Sequence, residues 1–237
     1  MGKSTVAVNL ALGLARAGKK TGLLDVDIHG PSVPRMLALG DVPVSCDESS
    51  LFPVNARGLK VMSIGFLLRG RDEAVIWRGP MKAGAIMQFL RDVEWGELDY
   101  LVVDCPPGTG DEPLTVLQLL TPPVGAVLVT TPQQVAVQEV RRSVVFCRQL
   151  KIPVLGVVEN MSGFVCPHCK KRTDIFSSEG GQRMAEEMGV PFLGAVPLDP
   201  AVMLGGESGS PIIAGDSEGE TSRAFGKIIS KLVESLS

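Results

Sequence analysis

Five short apolar runs constrain the fold of this chain more than any other feature. They are Thr21–Asp25 (TGLLD), Tyr100–Asp104 (YLVVD), Ala126–Thr130 (AVLVT), Val154–Glu159 (VLGVVE) and residues 191–196 (PFLGAV). Each is rich in aliphatic and β-branched residues, is apolar toward both faces of a strand, and ends in a polar residue or beside Gly or Pro. Strands buried on both faces belong to parallel sheets covered by helices. Helical periodicities fill the intervals, at roughly 4–17, 81–92, 135–150, 180–188 and 222–236. Strands alternating with helices predict an α/β fold with a mostly parallel sheet and helices on both faces.

Two stretches are less regular. Residues 40–71 predict short antiparallel strands, and residues 205–220, rich in Gly and Ser, predict a mobile loop before the last helix. No internal repeat or linker divides the chain, so residues 1–237 read as a single domain.

Two segments imitate targeting signals. Lys3, the uncharged run 4–15 and Ala15-Arg16-Ala17 loosely resemble a secretory signal. The same residues continue as a helix, which is the better reading. Residues 113–138 carry no charge and are long enough to span a bilayer. Pro113, Pro122, Pro123 and Pro132 would break such a helix repeatedly. A helix, a Pro-Pro turn and the strand Ala126–Thr130 fit better. We therefore expect a cytoplasmic protein with no stable membrane association. The five Cys agree, because an odd number at irregular spacing is a poor disulfide framework.

Composition removes further classes. Apolar residues make up 45%, and the net charge of −3 is too small for a disordered chain. The same acidic balance opposes a nucleic-acid binder. Eight Phe, two Trp and one Tyr leave little for base stacking.

Residues 2–5 read Gly-Lys-Ser-Thr and open a helical pattern. In the P-loop, G-x-x-x-x-G-K-[ST], backbone N–H groups and the Lys neutralise phosphates and the Ser/Thr hydroxyl binds Mg²⁺. Met1 fills the last variable position, so most of the motif cannot be tested. Two strand ends add to it. One ends in Asp25-Val26-Asp27, followed by Gly30-Pro31-Ser32. The other ends in Asp104, followed by Pro106-Pro107-Gly108-Thr109-Gly110. An apolar strand ending in Asp is the Walker B pattern, whose carboxylate supports a Mg²⁺ shell. Each Asp alone could merely cap its loop. Several at the C-terminal ends of one α/β sheet mark the place where ligands bind.

GKST, LLDVDIHGPSVPRM, WRGPM, ELDYLVVDCPPGTGD, TTPQ and VENMSGFVCPHC together resemble the Mrp/NBP-type P-loop ATPases. These are iron–sulfur cluster carriers of the deviant-Walker class that also holds MinD, ParA and the nitrogenase iron protein. The resemblance covers nearly the whole chain. It implies a three-layer P-loop NTPase fold and a slow ATP hydrolase. It also implies a homodimer that binds a [4Fe–4S] cluster and passes it to apo-proteins. By the same resemblance, Gly2, Lys3, Ser4 and Thr5 bind phosphate, and Ser4 also binds Mg²⁺. Asp27 orients the attacking water, Asp104 supports the metal shell and Gly108 touches the γ-phosphate. Asn160 reads adenine and Pro197 lines it. The family signature K-G-G-x-G-K-[ST] begins before Met1. We expect the chain to lack both that start and the strand feeding the P-loop, which would expose two sheet edges.

Cys166-Pro167-His168-Cys169 is the second chemical feature. A thioredoxin-like site needs the pair at the N-terminus of an amphipathic helix, whereas Lys170-Lys171-Arg172-Thr173-Asp174 follows. A zinc ribbon needs a second C-x₂-C, which the sequence lacks. Cys46, Cys105 and Cys147 read as packing residues. Two thiolates make half of a Cys₄ site, and a two-fold dimer would bring two pairs together around a cluster. The basic run 170–172 either offsets cluster charge or is an ordinary solvated loop. Three rivals remain. One is a MinD-like membrane ATPase, for which one face of the last helix (Phe225, Ile228, Ile229, Leu232, Val233 and Leu236, with Arg223, Lys227 and Lys231 nearby) would lie on a membrane, although a helix packed on the sheet is the better reading. A second is a ParA-like DNA-partitioning ATPase, which needs a basic surface that this acidic chain lacks. The third is a scaffold unable to hydrolyse ATP. Trp77-Arg78-Gly79 receives no role.

Overall fold

In the computed structural model, which describes every residue except 29, 41, 48–49, 68–78, 121–123, 167, 170, 216–218 and 237, seven strands form two sheets. The chain runs α1 (Lys3–Arg16), β1 (Thr21–Asp25), α2 (Val33–Met36), β2 (Val54–Ala56), β3 (Leu59–Ser63), α3 (Gly79–Arg91), β4 (Tyr100–Asp104) and α4 (Asp111–Leu119). It continues through β5 (Ala126–Thr130), α5 (Gln134–Gln149), β6 (Val154–Glu159), β7 (Phe164–Val165), β8 (Arg172–Thr173) and α6 (Gly180–Glu187). It ends with β9 (Phe192–Ala195), α7 (Pro200–Glu207) and α8 (Glu220–Leu236). One sheet has the order β2-β3-β1-β4 and the other β5-β6-β9. All pairings within them are parallel except β2 with β3.

Alternation along the strands builds three layers. Leu23 of β1 and Val61 of β3 face one core with α1 and α8, while Leu24 and Met62 face the opposite core with α3. In the second sheet Val158 joins the first core, and Val157 packs with Val137, Val140 and Val144 of α5. The core beneath α1 and α8 thus runs under both sheets and holds them together. The side chains of β4 and β5 are only half-buried, apart from Asp104 and Thr130 at their ends. Full burial on both faces was expected. Each is the outer strand of its sheet.

The structure departs from the sequence reading at two other places. Within 40–71, β2 and β3 form the expected short antiparallel pair, but β3 also pairs in parallel with β1 and so is an interior strand of the sheet. Within 205–220, residues up to Glu207 are helical, and a 3₁₀ turn at Ile212–Ala214 sets Ile213 into the core against α1. The Pro122-Pro123 turn and Trp77-Arg78 lie outside the described residues.

Local chemistry ends α1 sharply. Gly18 has φ 80, its N–H donates to Ala15 O, and the Lys19 N–H donates to Leu14 O. This double bond pattern at a left-handed glycine closes the helix. α8 buries Phe225, Ile228, Ile229 and Leu232 and leaves Arg223, Lys227 and Lys231 outside. Its apolar stripe is therefore used by the core. Among the described residues no helix is long and apolar enough to cross a membrane.

Candidate functional site

The C-terminal ends of β1, β3 and β4 and the N-terminus of α1 meet at one place. Gly2 precedes α1 with φ 74. A helix start leaves its first N–H groups without intrahelical partners and favours anions. Space is tight here: a Cβ on Gly2 would lie 2.4 Å from Asn160 Nδ2. The Asn160 side-chain amide donates to Met1 O at 3.0 Å. Asn160, expected at the adenine, therefore braces Met1 and Gly2 before α1 from just beyond β6. Thr5 O accepts from Asn9 Nδ2 at 2.8 Å, a bond inside α1.

Asp104 ends β4 and is 2% exposed. Burial pushes its carboxyl up to about 6, the Ser4 hydroxyl and Lys3 pull it down, and the charge of Asp27 pushes it up. Its Oδ2 is buried without a hydrogen-bond partner. An unpaired buried carboxylate oxygen beside Ser4 fits the outer shell of a Mg²⁺ ion, a hard cation that takes oxygen ligands and retains water.

Asp25 pairs in register with Asp104 on one side and with Ser63 on the other. It accepts from Ser63 Oγ at 2.9 Å, from the Asp27 N–H at 3.1 Å and from the Val33 N–H at 3.3 Å. Burial pushes it up to about 7, with Asp104 adding and these three donors opposing. Asp25 thus shapes the loop that carries Asp27. Sequence reading treated Asp25 as a strand-end carboxylate without a separate task. Its partner Ser63 ends a run, 59–63, that is apolar apart from Lys60 and was the available signal.

Asp27, Gly30, Lys82, Pro106, Pro107 and Glu112 line a cavity of about 560 Å³. Lys82 of α3 pairs with Glu112 of α4 at 2.7 Å, with side chains 16% and 12% exposed. No spacing in the sequence links these two residues. Gly108 has φ 91 and open space around it, so backbone conformation rather than crowding requires glycine there. Pro197 is buried directly after Val196, which donates to Glu159 O and accepts from the Ser162 N–H.

The cysteine pair lies on a small hairpin. β7 and β8 are antiparallel, with Val165 opposite Arg172, and the Cys166 N–H donates to Lys171 O. Cys166 is half-buried and Cys169 exposed. Neither is at a helix N-terminus, which removes the thioredoxin-like reading. Among the described residues no group of three or more Cys, His, Asp or Glu could hold a metal ion. Arg172 is not simply solvated: it donates to Ser162 O at 3.1 Å and lies near Asp174 and Glu220. Cys147 is buried as expected, whereas Cys46 is exposed. Burial pushes the Cys105 thiol up to about 12, the nearby carboxylates add and Lys3 opposes, so it stays protonated.

The chain is similar to proteins already characterised. An iron-sulfur cluster carrier protein of Methanocaldococcus jannaschii is 49% identical over 235 residues, spanning 99% of this chain and 80% of that protein. The human cytosolic Fe-S cluster assembly factor NUBP2 is 54% identical over 218 residues, 90% of this chain and 80% of that protein. Among solved structures, the nucleotide-binding protein of Archaeoglobus fulgidus in complex with ADP superposes with a TM-score of 0.77 at 42% identity. That match covers 88% of this chain and 82% of that one. The family model described as ParA, NUBPL iron-transfer P-loop NTPase, matches residues 1–233, and the chain belongs to that family.

Proposed function

We propose that this chain is an ATP-dependent iron–sulfur cluster carrier. Two copies bind a [4Fe–4S] cluster between their Cys166 and Cys169 pairs and pass it to apo-proteins. The observation that carries this reading is the short path between the two chemistries: Asn160 donates to the Met1 carbonyl directly before Gly2, and Cys166 follows six residues later on the hairpin. The carrier names of the relatives support the cargo, and the ADP complex of the Archaeoglobus protein supports a nucleotide.

In this reading Gly2, Lys3, Ser4 and Thr5 bind the phosphates, and Ser4 with Asp104 holds Mg²⁺. The ion would supply charge neutralisation between the phosphates. Lys3 adds positive charge at the α1 N-terminus. Asp27 accepts a hydrogen bond from the water that attacks the γ-phosphate, and Gly108 offers it a backbone N–H. Asn160 and Pro197 contact the adenine. Hydrolysis is slow, the protein works in the cytoplasm, and its partners are its own second copy and apo iron–sulfur clients. Neither nucleic acid nor a membrane is among them.

Iron and sulfide per chain after anaerobic reconstitution test the cargo. The expected result is about four iron per dimer, lost in Cys166→Ser. A folded wild type that takes up no cluster overturns the carrier reading. ATP turnover in the same samples tests the hydrolase.

A further inference from the structure

Glu159, the last residue of β6, is 1% exposed and accepts three hydrogen bonds. Oε1 accepts from the Ser162 hydroxyl at 2.6 Å and from the Glu179 N–H at 3.1 Å, and Oε2 from the Gly181 N–H at 2.5 Å. Two of these bonds fix the N-terminus of α6, where a carboxylate is favoured by the helix dipole. The fit is close: a Cβ on Gly181 would lie 2.6 Å from Thr130 Cγ2 and 3.0 Å from Glu159 Oε2. The carboxylate is therefore immobilised by α6 and β5. The third bond is not needed for that anchoring.

Ser162 is the root of the cysteine hairpin. Its N–H donates to Val196 O at 2.9 Å, and its carbonyl accepts from Arg172. From there the Leu198 N–H donates to Gly163 O at 2.8 Å, Phe164 bridges Leu198, and the Cys166 N–H closes the hairpin on Lys171. On the other side, the Asn160 N–H donates to Thr130 O at 2.8 Å and its side chain reaches Met1. Between Asn160 and Ser162 stands Met161 with φ 56, a left-handed conformation that is costly for a side chain of this size. The turn from the phosphate loop to the hairpin is thus strained, and the Ser162–Glu159 bond clamps its far end.

We propose that Ser162, through its hydrogen bond to Glu159, is a positioning residue for cluster transfer, making residues 159–163 a stiff link between nucleotide at Asn160 and the Cys166/Cys169 hairpin. A clamped turn passes a displacement of Asn160 to the hairpin, and an unclamped one absorbs it. This rests on the carrier reading above.

The test follows loss of iron from the reconstituted wild type and Ser162→Ala to a bipyridine-type chelator, with ATP, with ADP and without nucleotide. Ser162→Ala leaves both Glu159 bonds to α6 in place. The expected wild-type rates differ at least about fivefold between ATP and no nucleotide. Ser162→Ala brings that ratio to about one, with iron content and ATP affinity unchanged. A variant that keeps the wild-type ratio overturns the proposal. A wild type that holds a cluster but shows equal rates also overturns it and leaves the carrier reading standing. A wild type without a cluster overturns both. Amide exchange in the unmodified protein is an independent check. ATP should alter protection at Ser162 and Cys166 together, and a response confined to Asn160 contradicts the link.

Discussion

Asp25 and Asp104 stand side by side in register on adjacent parallel strands, and the Val26 N–H donates to the Asp104 carbonyl at 3.0 Å. Two buried carboxyls at this spacing do not ionise independently, and both are raised from 3.8, to about 7 and about 6. Their placement concentrates buried carboxyls at the C-terminal edge of the sheet, beside Lys3 and Ser4 at the start of α1.

The first prediction concerns pH. Between pH 4 and 7 the folded chain keeps protons on these carboxyls that the unfolded chain has released. Their contribution to stability is fully present near pH 4 and is lost as pH rises through about 6 and 7. The nucleotide-free protein should lose on the order of a few kcal/mol between pH 5 and 8. Urea unfolding across that range measures it. Asp25→Asn should flatten most of the slope, and a wild-type stability that rises with pH would contradict the assignment.

The second prediction separates charge from hydrogen bonding at Asp25. Asp25→Ala strands the Ser63 hydroxyl and the Asp27 and Val33 N–H groups, at a cost of about 3 kcal/mol or more. Asp25→Asn retains an acceptor oxygen and should cost clearly less. Because the Asp27 loop hangs on these bonds, ATP turnover should fall in Asp25→Ala more than nucleotide affinity does. Equal stability of the two variants would show that the bonds carry little.

Much of this site could be read from the sequence, because four of its strand ends are covalently simple: an aliphatic run followed by Asp, Thr or Glu. Leu23 and Leu24 disclosed a doubly covered strand without reference to any other residue. The parallel pairing of β3 with β1 escaped because Lys60 interrupts its apolar run. In the fold that ammonium reaches the Trp95 carbonyl, so the interruption is satisfied by a residue 35 positions away. The organising role of Asp25 escaped for the same reason, since it depends on Ser63. The tasks of Glu159 and of the Lys82–Glu112 pair are likewise tertiary, and no local spacing encodes them.

Thiol reactivity gives the third prediction. Cys169 and Cys46 are exposed, whereas Cys147 is buried and burial raises its thiol, and Cys105 is raised to about 12. In the reduced, cluster-free protein a maleimide should label Cys169 and Cys46 first, and Cys105 and Cys147 only on unfolding. Mass spectrometry of a labelling time course resolves the order. Cys105→Ala should leave iron loading unchanged, and early labelling of Cys105 would require a more open β4 edge than is seen.

The packing of α8 gives the fourth. A Cβ on Gly13 of α1 would fall 2.0 Å from Ile229 Cδ1, so Gly13→Val should cost about 1–3 kcal/mol by overpacking. Phe225→Ala should cost about 3–5 kcal/mol. Both follow only if the apolar stripe of α8 belongs to the core. If it instead served a lipid surface, Phe225→Ala would weaken sedimentation with anionic vesicles and spare the unfolding midpoint.

Gly2→Ala tests the junction of nucleotide and cluster ends most directly. Gly2 holds φ 74, which an alanine adopts at a cost of roughly 1 kcal/mol, and the new methyl would collide with the Asn160 amide at 2.4 Å. Asn160 would have to leave Met1 O, and the start of α1 would lose its brace. ATP affinity should fall by at least about tenfold, which corresponds to about 1.4 kcal/mol. Removing the amide in Asn160→Ala opens the space that the methyl needs. Relative to Asn160→Ala, the double variant Gly2→Ala, Asn160→Ala should therefore lose much less ATP affinity than Gly2→Ala loses relative to wild type, and isothermal titration of the four proteins closes the cycle. Additive losses would mean that the glycine is required by its backbone conformation and that Asn160 acts on the nucleotide independently of the phosphate loop.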